Sequence, residues 1–289
     1  MARITVKKRK FYRQLFALIG GAAALAGLIV LAIVLFGGRG ASTEPTETKE
    51  TARPNAWSDE AYYTENGFLK YRDAECLVGI DVSAHQDSID WQKVADAGVQ
   101  FVLLRAGYRG STEGKLYEDD NFRTFLKGAR SAGLQVGVYF FSQATDEQEA
   151  FEEAAYVCEL LKGETLELPV FYDWEHSGAG TRTASASDID MTACALAFCS
   201  AVEDGGFRAG VYFNQTYGNN HLDFVKLKNY ALWLAEYNET PTFGYHFDYL
   251  QYTDSGVVDG IEGTVDLDLM LISNVPEPSS EPETSESTQ

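Results

Sequence analysis

Residues 168–176 read LPVFYDWEH, an apolar and aromatic run that ends in two carboxylates. Its length and composition are typical of a buried β-strand. Asp173 and Glu175 are two positions apart, so on a strand they point to the same face, with Cα atoms about 6.6 Å apart. Because carboxylates are costly to bury, this pair at the end of an apolar strand indicates a functional site.

Seven more runs have strand-like composition, and helical stretches separate the early ones. The predicted strands are 78–82, 101–106, 136–141, 168–174, 209–213, 231–236, 248–253 and 265–270, and the predicted helices are 90–97, 119–132, 146–162 and 188–204, several with a closing glycine (Gly98, Gly133, Gly205). This alternation predicts an α/β fold with a parallel sheet. Eight strands predict an irregular (β/α)8-type barrel, with an open doubly wound sheet as the competing topology.

Two other predicted strands carry acids near an end. Asp81 lies in GIDVSAHQ, and Asp266 and Asp268 lie in TVDLDLM. In barrels the carboxyl ends of the strands form the active site, and crowded carboxylates raise one another's pKa, so that one stays protonated beside an ionised neighbour. That arrangement is suited to cleaving glycosidic bonds. The alternative is a set of rim acids neutralised by Arg105, by backbone amides or by a bound cation.

Aromatic side chains near the strand ends are predicted to bind sugar rings, and Arg105 is a further candidate for substrate binding. The aromatic candidates are Tyr139, Tyr212, Trp233 and Tyr252. The four histidines show no paired metal-ligand spacing, so the sequence predicts neither a metal ion nor a cofactor.

The segment from Leu15 to Phe36 contains 22 residues without a charge. At about 1.5 Å per residue, a helix of this length crosses a hydrocarbon core of about 30 Å. Six Lys and Arg residues precede it, which predicts a single-pass anchor in the cell membrane with a cytoplasmic N-terminus and an extracellular body. A cleaved signal peptide is the alternative, although its apolar region is normally shorter.

Charge and composition divide the rest of the chain. The 289 residues include 43 acidic and 23 basic side chains, and the net charge of −20 argues against nucleic acid as a partner. We expect a basic stub at 1–14, the membrane helix at 15–36, a linker and lead-in at 37–75, a barrel at 76–275 and a disordered acidic tail at 276–289. The oligomeric state is left open.

The four cysteines, Cys76, Cys158, Cys194 and Cys199, are expected to be mostly buried free thiols, although disulfides are permitted outside the cell. Cys194 and Cys199 are five positions apart on a predicted helix and point in different directions, so they should not pair with each other.

Seven blocks, in order, resemble the glycoside hydrolase family 25 lysozymes. The blocks are GIDVSAHQDSIDW, FVLLRAGY, GLQVGVYFFSQA, LPVFYDWE, AGVYFN, LWLAEY and QYT with GIEGTVDLD, and they run from about Gly79 to Leu271. The resemblance implies an irregular (β/α) barrel. It also implies that Glu175 is the proton donor, and that Asp81, Asp173 and Asp266 position the substrate or stabilise developing positive charge.

The chain departs from the family pattern at Asp87, Phe140 and Leu250, where Gly, His and Trp are usual. These departures leave the four acids in place and bear on the finer specificity for sugars.

The implied activity is that of a membrane-anchored N-acetylmuramidase, which cleaves the β-1,4 bond between N-acetylmuramic acid and N-acetylglucosamine in peptidoglycan. A protein that only binds peptidoglycan through the same barrel is the alternative from another class, and a chitinase-like hydrolase is a second enzymatic alternative. Retention, inversion and participation of the substrate's acetamido group all remain open for the stereochemistry.

The membrane topology predicted from the charges around residues 15–36 can be tested with a protease. Protease added to intact protoplasts should remove the acidic body and leave the basic stub, because the body is expected to lie outside the cell. Immunoblots against tags at the two termini report which part survives. Full protection of the body would contradict the predicted orientation.

Overall fold

The computed structural model describes residues 51–185 and 189–272. The predicted membrane segment at 15–36 and the tail at 276–289 lie outside the described residues. Within the described ranges, no helix has the length and apolar character needed to cross a membrane.

A closed barrel of eight strands forms the body. The strands of the structure are β1 (Tyr62–Glu65), β2 (Phe68–Tyr71), β3 (Glu75–Val82), β4 (Phe101–Arg109), β5 (Leu116–Glu118), β6 (Gln135–Ser142), β7 (Val170–Trp174), β8 (Ala209–Asn214), β9 (Ala231–Ala235), β10 (Tyr249–Gly256) and β11 (Val265–Ile272). The barrel order is β3-β11-β10-β9-β8-β7-β6-β4, and β3 pairs with β4 to close it. This closure excludes the open sheet and confirms the eight strands predicted from the sequence.

The last strand runs against its neighbours. The other barrel pairings are parallel, whereas β11 is antiparallel to both β10 and β3. The prediction of a wholly parallel sheet is therefore wrong for β11. A parallel β11 would require a crossover of a dozen or more residues, and the short connection after β10 allows only a hairpin. As a result, the beginning of β11 lies at the same rim as the carboxyl ends of the other seven strands.

Apolar side chains pack in two layers. An inner cluster fills the barrel with Phe101, Leu103, Tyr139, Leu168, Phe171, Tyr212, Trp233, Ala235 and Tyr249. A larger cluster lies between the barrel and the helices. Successive strand residues alternate between these two layers, since their side chains point to opposite faces.

The outer helices agree with the predicted ones and add one. They are α1 (Trp91–Asp96), α2 (Phe122–Ser131), α3 (Glu147–Leu160), α4 (Met191–Asp204) and α5 (Gln215–His221). The sequence reading missed α5, whose N-cap Asn214 accepts a hydrogen bond from the Tyr217 amide. Gly205 is the C-cap of α4, as predicted, and Gly206 after it takes the left-handed conformation with φ +88°.

A hairpin made of β1 and β2 covers the part of the barrel where helices are scarce. Asn66 and Gly67, both with positive φ, form its turn, as expected for a tight hairpin. Strand β2 packs against β3 and β11, with Phe68 buried. Trp57 donates its indole N–H to the Phe247 carbonyl at 2.9 Å. The hairpin therefore shares the core of the barrel, as a packed part of the segment assigned to the linker and lead-in at 37–75.

The chain joins the barrel at the amino ends of the strands. Pro54 forms a bridge with Tyr245, and the His246 amide donates to the Arg53 carbonyl at 2.9 Å, shortly before β10 begins. This end is opposite the rim formed by the carboxyl ends.

All four cysteines are free thiols. Cys194 and Cys199 are buried on α4, while Cys76 and Cys158 are partly buried. The expectation of unpaired thiols is confirmed.

The packing of the hairpin predicts a large effect for a residue that the sequence reading assigned to the lead-in. Phe68→Ala should lower the free energy of unfolding by about 3–5 kcal/mol, since it leaves a cavity beneath β2. Phe151→Ala is the matched control, because Phe151 is 50% exposed on α3 and its loss should change little. Urea unfolding followed by circular dichroism measures both. Equal effects of the two substitutions would show that the hairpin is not part of the core.

Candidate active site

A cavity of about 390 Å³ opens at the carboxyl-end rim of the barrel. It brings together the four predicted acids Asp81, Asp173, Glu175 and Asp266, and its lining also includes Arg105, Tyr139, Tyr212, Trp233, Tyr237, Gln251, Asp254, His85 and Gln86. Among the candidates named from the sequence, Tyr252 does not line this cleft.

Strand pairing fixes two of the acids opposite each other. Asp266 of β11 is the register partner of Asp81 of β3. In an antiparallel pair, directly opposed residues project to the same face, with Cβ atoms about 4.5–5.5 Å apart. Both side chains therefore point into the cleft, and their negative charges lie close together.

Gln251 of β10 connects these two acids. Its Nε2 donates to Asp81 Oδ2 at 2.8 Å and to Asp266 Oδ2 at 3.4 Å. Its Oε1 accepts from the hydroxyls of Tyr212 at 3.2 Å and Tyr237 at 2.7 Å. Since both hydroxyls can only donate to the carbonyl oxygen, they fix the orientation of the amide so that its N–H groups face the acids.

The sequence reading did not assign Gln251 to the site. A polar residue within the strand YLQYT was the available signal, because a side chain buried to 4% exposure needs hydrogen-bond partners. The candidates named from the sequence were acids, aromatic residues and Arg105, and this amide was not among them.

Asp173 and Glu175 extend from the end of β7. Asp173 is buried and faces the cleft, whereas Trp174 between them points outward and donates to the Ala144 carbonyl at 2.9 Å. Gln143 donates through Nε2 to the Glu175 carbonyl at 2.6 Å, and Thr183 donates to Gln143 Oε1 at 2.9 Å. This buried amide holds the backbone that carries Glu175.

Burial raises the proton affinity of all four acids. The pKa of Asp81 lies well above its usual range because of burial and then the charges of Asp268 and Asp266, while the Gln251 amide opposes the rise. Burial, with the charge of Asp254 adding to it, raises the pKa of Asp266 to about 6. These carboxyls therefore retain protons at pH values where exposed acids have lost them.

Burial raises the pKa of both acids of β7, and a different neighbouring charge adds to the rise at each. Burial and then the charge of Asp266 raise the pKa of Glu175. The pKa of Asp173 is itself well above its usual range because of burial and the charge of Glu175, with Arg105 acting against the rise. Asp266 is therefore the charge that acts on Glu175, and Glu175 in turn acts on Asp173.

Arg105 is held by an acid outside the catalytic set. Its Nε donates to Asp119 Oδ2 at 2.8 Å, and the same oxygen accepts from the Ala84 amide at 3.0 Å. The guanidinium also lies over the Tyr108 ring, 5.4 Å from the centroid. Asp119 thus neutralises Arg105 at the edge of the cleft.

The predicted aromatic residues occupy three kinds of position. Tyr139 and Tyr212 are largely buried in the cleft wall, and Trp233, only 1% exposed, forms the floor. Tyr237, 51% exposed, is the ring with a free face. Tyr252 lies on the other side of β10, where its hydroxyl accepts from the Leu69 amide of the hairpin at 3.2 Å, in contrast to the prediction that it binds substrate.

Two departures from the family pattern lie away from the cleft. Phe140 and Leu250 are buried in the outer layer between barrel and helices, and Asp87 is exposed. Since neither Phe140 nor Leu250 lines the cleft, these two bear on packing and not on sugar specificity. Within the described ranges, no cluster of three His, Cys, Asp or Glu side chains could hold a metal ion.

The family model and the curated relatives that match this chain point to the same family. The model of the family described as glycosyl hydrolases family 25 matches residues 80–261. The autolytic lysozyme of Clostridium acetobutylicum is 32% identical over 195 residues, which cover 66% of this chain and 55% of that protein. Lysozyme M1 of Streptomyces globisporus is 28% identical over 205 residues, 67% of each chain.

Solved structures share the fold. The modular autolysin LytC of Streptococcus pneumoniae, solved with a synthetic peptidoglycan ligand, gives a TM-score of 0.60 at 24% identity over 72% of this chain and 52% of its own. The spore cortex lytic enzyme SleM of Clostridium perfringens gives 0.59 at 22% identity over 68% and 67%. The chain spans about half the length of LytC and of the clostridial lysozyme. Because the family model covers more than half of its residues, this chain belongs to glycosyl hydrolases family 25.

Proposed function

We propose that the chain is a muramidase that hydrolyses the β-1,4 bond between N-acetylmuramic acid and N-acetylglucosamine in peptidoglycan. One observation carries the proposal: four carboxyls with raised pKa values line a single cleft, in a family whose curated relatives include two named lysozymes. The LytC complex adds support, since that protein was solved with a peptidoglycan ligand.

Glu175 is the proposed general acid. The leaving sugar oxygen needs a proton at neutral pH, where an exposed glutamic acid with a pKa of about 4.3 is almost fully ionised. Burial and the charge of Asp266 raise the pKa of Glu175, which favours the protonated form that a general acid needs. Partial exposure at the end of β7 lets the side chain reach a bound glycan.

Asp266 and Asp81 are the proposed partners of that acid. With a pKa of about 6, Asp266 is mostly ionised at neutral pH, so it both raises the pKa of Glu175 and stabilises positive charge on the reacting sugar. Asp81 faces the same space and adds a second site for negative charge. Tyr237, at the exposed edge, offers a ring on which a neighbouring sugar can stack.

We also propose that residues 15–36 anchor the enzyme in the cell membrane with its body outside. The support is the uncharged 22-residue segment and the six basic residues before it. The described chain joins the barrel at the end opposite the cleft, which is compatible with an attachment on its N-terminal side.

Digestion of purified peptidoglycan distinguishes the candidate activities. A muramidase releases fragments with muramic acid at the new reducing end, which borohydride reduction and mass spectrometry identify. New glucosamine ends, or digestion of chitin in preference to peptidoglycan, would indicate another glycan hydrolase. Binding to peptidoglycan without any new reducing ends would support the binding protein instead.

Replacement of the proposed acid should abolish most of the rate. Glu175→Gln keeps the shape but has no acidic proton, so kcat should fall by about 10²–10⁴-fold while glycan binding is retained. The matched control is Glu159→Gln, because Glu159 is exposed on α3, where it pairs with Lys162. Release of reducing ends measures kcat, and circular dichroism verifies folding. A folded Glu175→Gln enzyme with the parent rate would refute the assignment.

The hydrogen bond from Gln251 predicts a change in pH dependence. The amide stabilises ionised Asp81, so Gln251→Leu should raise the pKa of Asp81 and move the acid limb of kcat/KM to higher pH. Loss of a hydrogen bond to a charged group should lower kcat/KM by about 10- to 100-fold at neutral pH.

Asp254→Asn provides the opposite test. It removes the charge that raises the pKa of Asp266, so the acid limb should move to lower pH. Profiles of kcat/KM against pH for the parent and both variants show in which direction each acid limb moves. Shifts in the same direction for the two variants would show that these acids do not control the acid limb.

A further inference from the structure

Asp268 is a carboxyl group deep inside the barrel that the proposed reaction does not use. It lies on β11 two residues after Asp266, opposite Gly79 of β3, and its exposure is 0%. Residues i and i+2 of a strand share a face, so Asp268 points into the barrel below the cleft.

The surroundings of Asp268 do not suit a negative charge. Trp233 donates its Nε1–H to Oδ1 at 2.9 Å, while Oδ2 has no donor among the described residues. Its cross-strand neighbour on β10 is Gln251, whose amide N–H groups are directed to Asp81 and Asp266. An ionised Asp268 would keep a buried charge with one hydrogen bond and would leave a second oxygen unsatisfied, and both are costly.

Asp81 offers the partner that Oδ2 needs. The side chains of Asp81 and Asp268 interact directly, and burial together with the charge of Asp266 raises the pKa of both. Two adjacent carboxyls of this kind share one proton at pH values where isolated acids have none.

The position of Asp81 is the better one for the negative charge. Its Oδ2 already accepts from the Gln251 amide at 2.8 Å, and its side chain borders the open cleft. The other charged group near the pair is Asp266, which disfavours ionisation of both partners.

We propose that Asp268 is a positioning residue, which stays protonated and donates a hydrogen bond from Oδ2 to Asp81, so that Asp81 remains ionised and correctly oriented at the floor of the cleft. Its effect on the rate rests on the proposed muramidase function, whereas its protonation does not. In the reverse arrangement Asp81 carries the proton and Asp268 the charge, and the experiment distinguishes the two.

Three substitutions test the arrangement. Asp268→Asn keeps a donor at the same place without a charge, so kcat should stay within about threefold of the parent. Asp268→Leu has no donor, and kcat should fall about 10- to 100-fold with KM little changed. Asp81→Asn removes the charge itself and should be at least as damaging as Asp268→Leu.

The pattern of the two asparagine variants decides where the proton lies. Tolerance at Asp268 together with loss at Asp81 supports the proposal. Loss of activity in Asp268→Asn comparable to that in Asp81→Asn overturns it, and so does tolerance of asparagine at Asp81 alone.

Infrared spectroscopy tests the protonation without activity and without the leucine variant. The difference spectrum between the parent and Asp268→Asn at neutral pH should contain the C=O band of a protonated carboxylic acid. If carboxylate bands appear in its place, the proposal is wrong. If the parent fails to digest peptidoglycan but the carboxylic acid band is present, the proposed function fails while the protonation of Asp268 stands.

Discussion

The antiparallel pairing of β11 with β3 is the constraint on which the site depends. Seven strands bring their carboxyl ends to one rim, and a parallel eighth strand would bring Leu271 there. Because β11 runs the other way, its first residues reach the rim and Asp266 lies opposite Asp81. A slip of one residue in this register would turn the acids of β11 out of the barrel.

The crowding of acids has an electrostatic consequence. Few donors reach the carboxyls, and the main ones are the Gln251 amide for Asp81 and Asp266 and the Trp233 indole for Asp268. The charge of Arg105 opposes the rise in the pKa of Asp173. The Nε of Arg105 is bound to Asp119, outside the group of four acids. Negative charge that these donors do not stabilise is avoided, because the carboxyls keep protons to higher pH. A carboxyl that keeps its proton can act as a general acid.

The sequence predicted the barrel and its acids because both rest on local patterns. Apolar runs identify strands wherever they lie, and an acid such as Asp81 or Asp173 at the end of such a run is conspicuous. The direction of β11 is not a local property, since VDLDLM reads equally well in a parallel or an antiparallel strand. The hairpin of β1 and β2 was missed in the same way, because its role depends on contacts with distant strands.

One aromatic assignment, that of Tyr252, failed because the sequence did not show which face of β10 points into the barrel. Gln251 and Tyr252 are adjacent on β10, so only one of them can face the interior. Hydrophobicity alone favours Tyr252 for the interior. The structure places Gln251 there, because two ionisable acids inside the barrel require donors that a tyrosine at this position does not provide in the same number.

An acid-rich cleft is also suited to one stage of the proposed reaction. The sugar rings of a glycan are neutral before bond cleavage, so carboxylates contribute little charge–charge attraction to the bound substrate. Positive charge develops on the ring as the bond breaks, and Asp266 and Asp81 then lie beside it in a partly buried space. Interactions that strengthen only in the transition state raise kcat and not affinity. The repulsion among these acids therefore becomes attraction to the sugar ring at the step in which the glycosidic bond breaks.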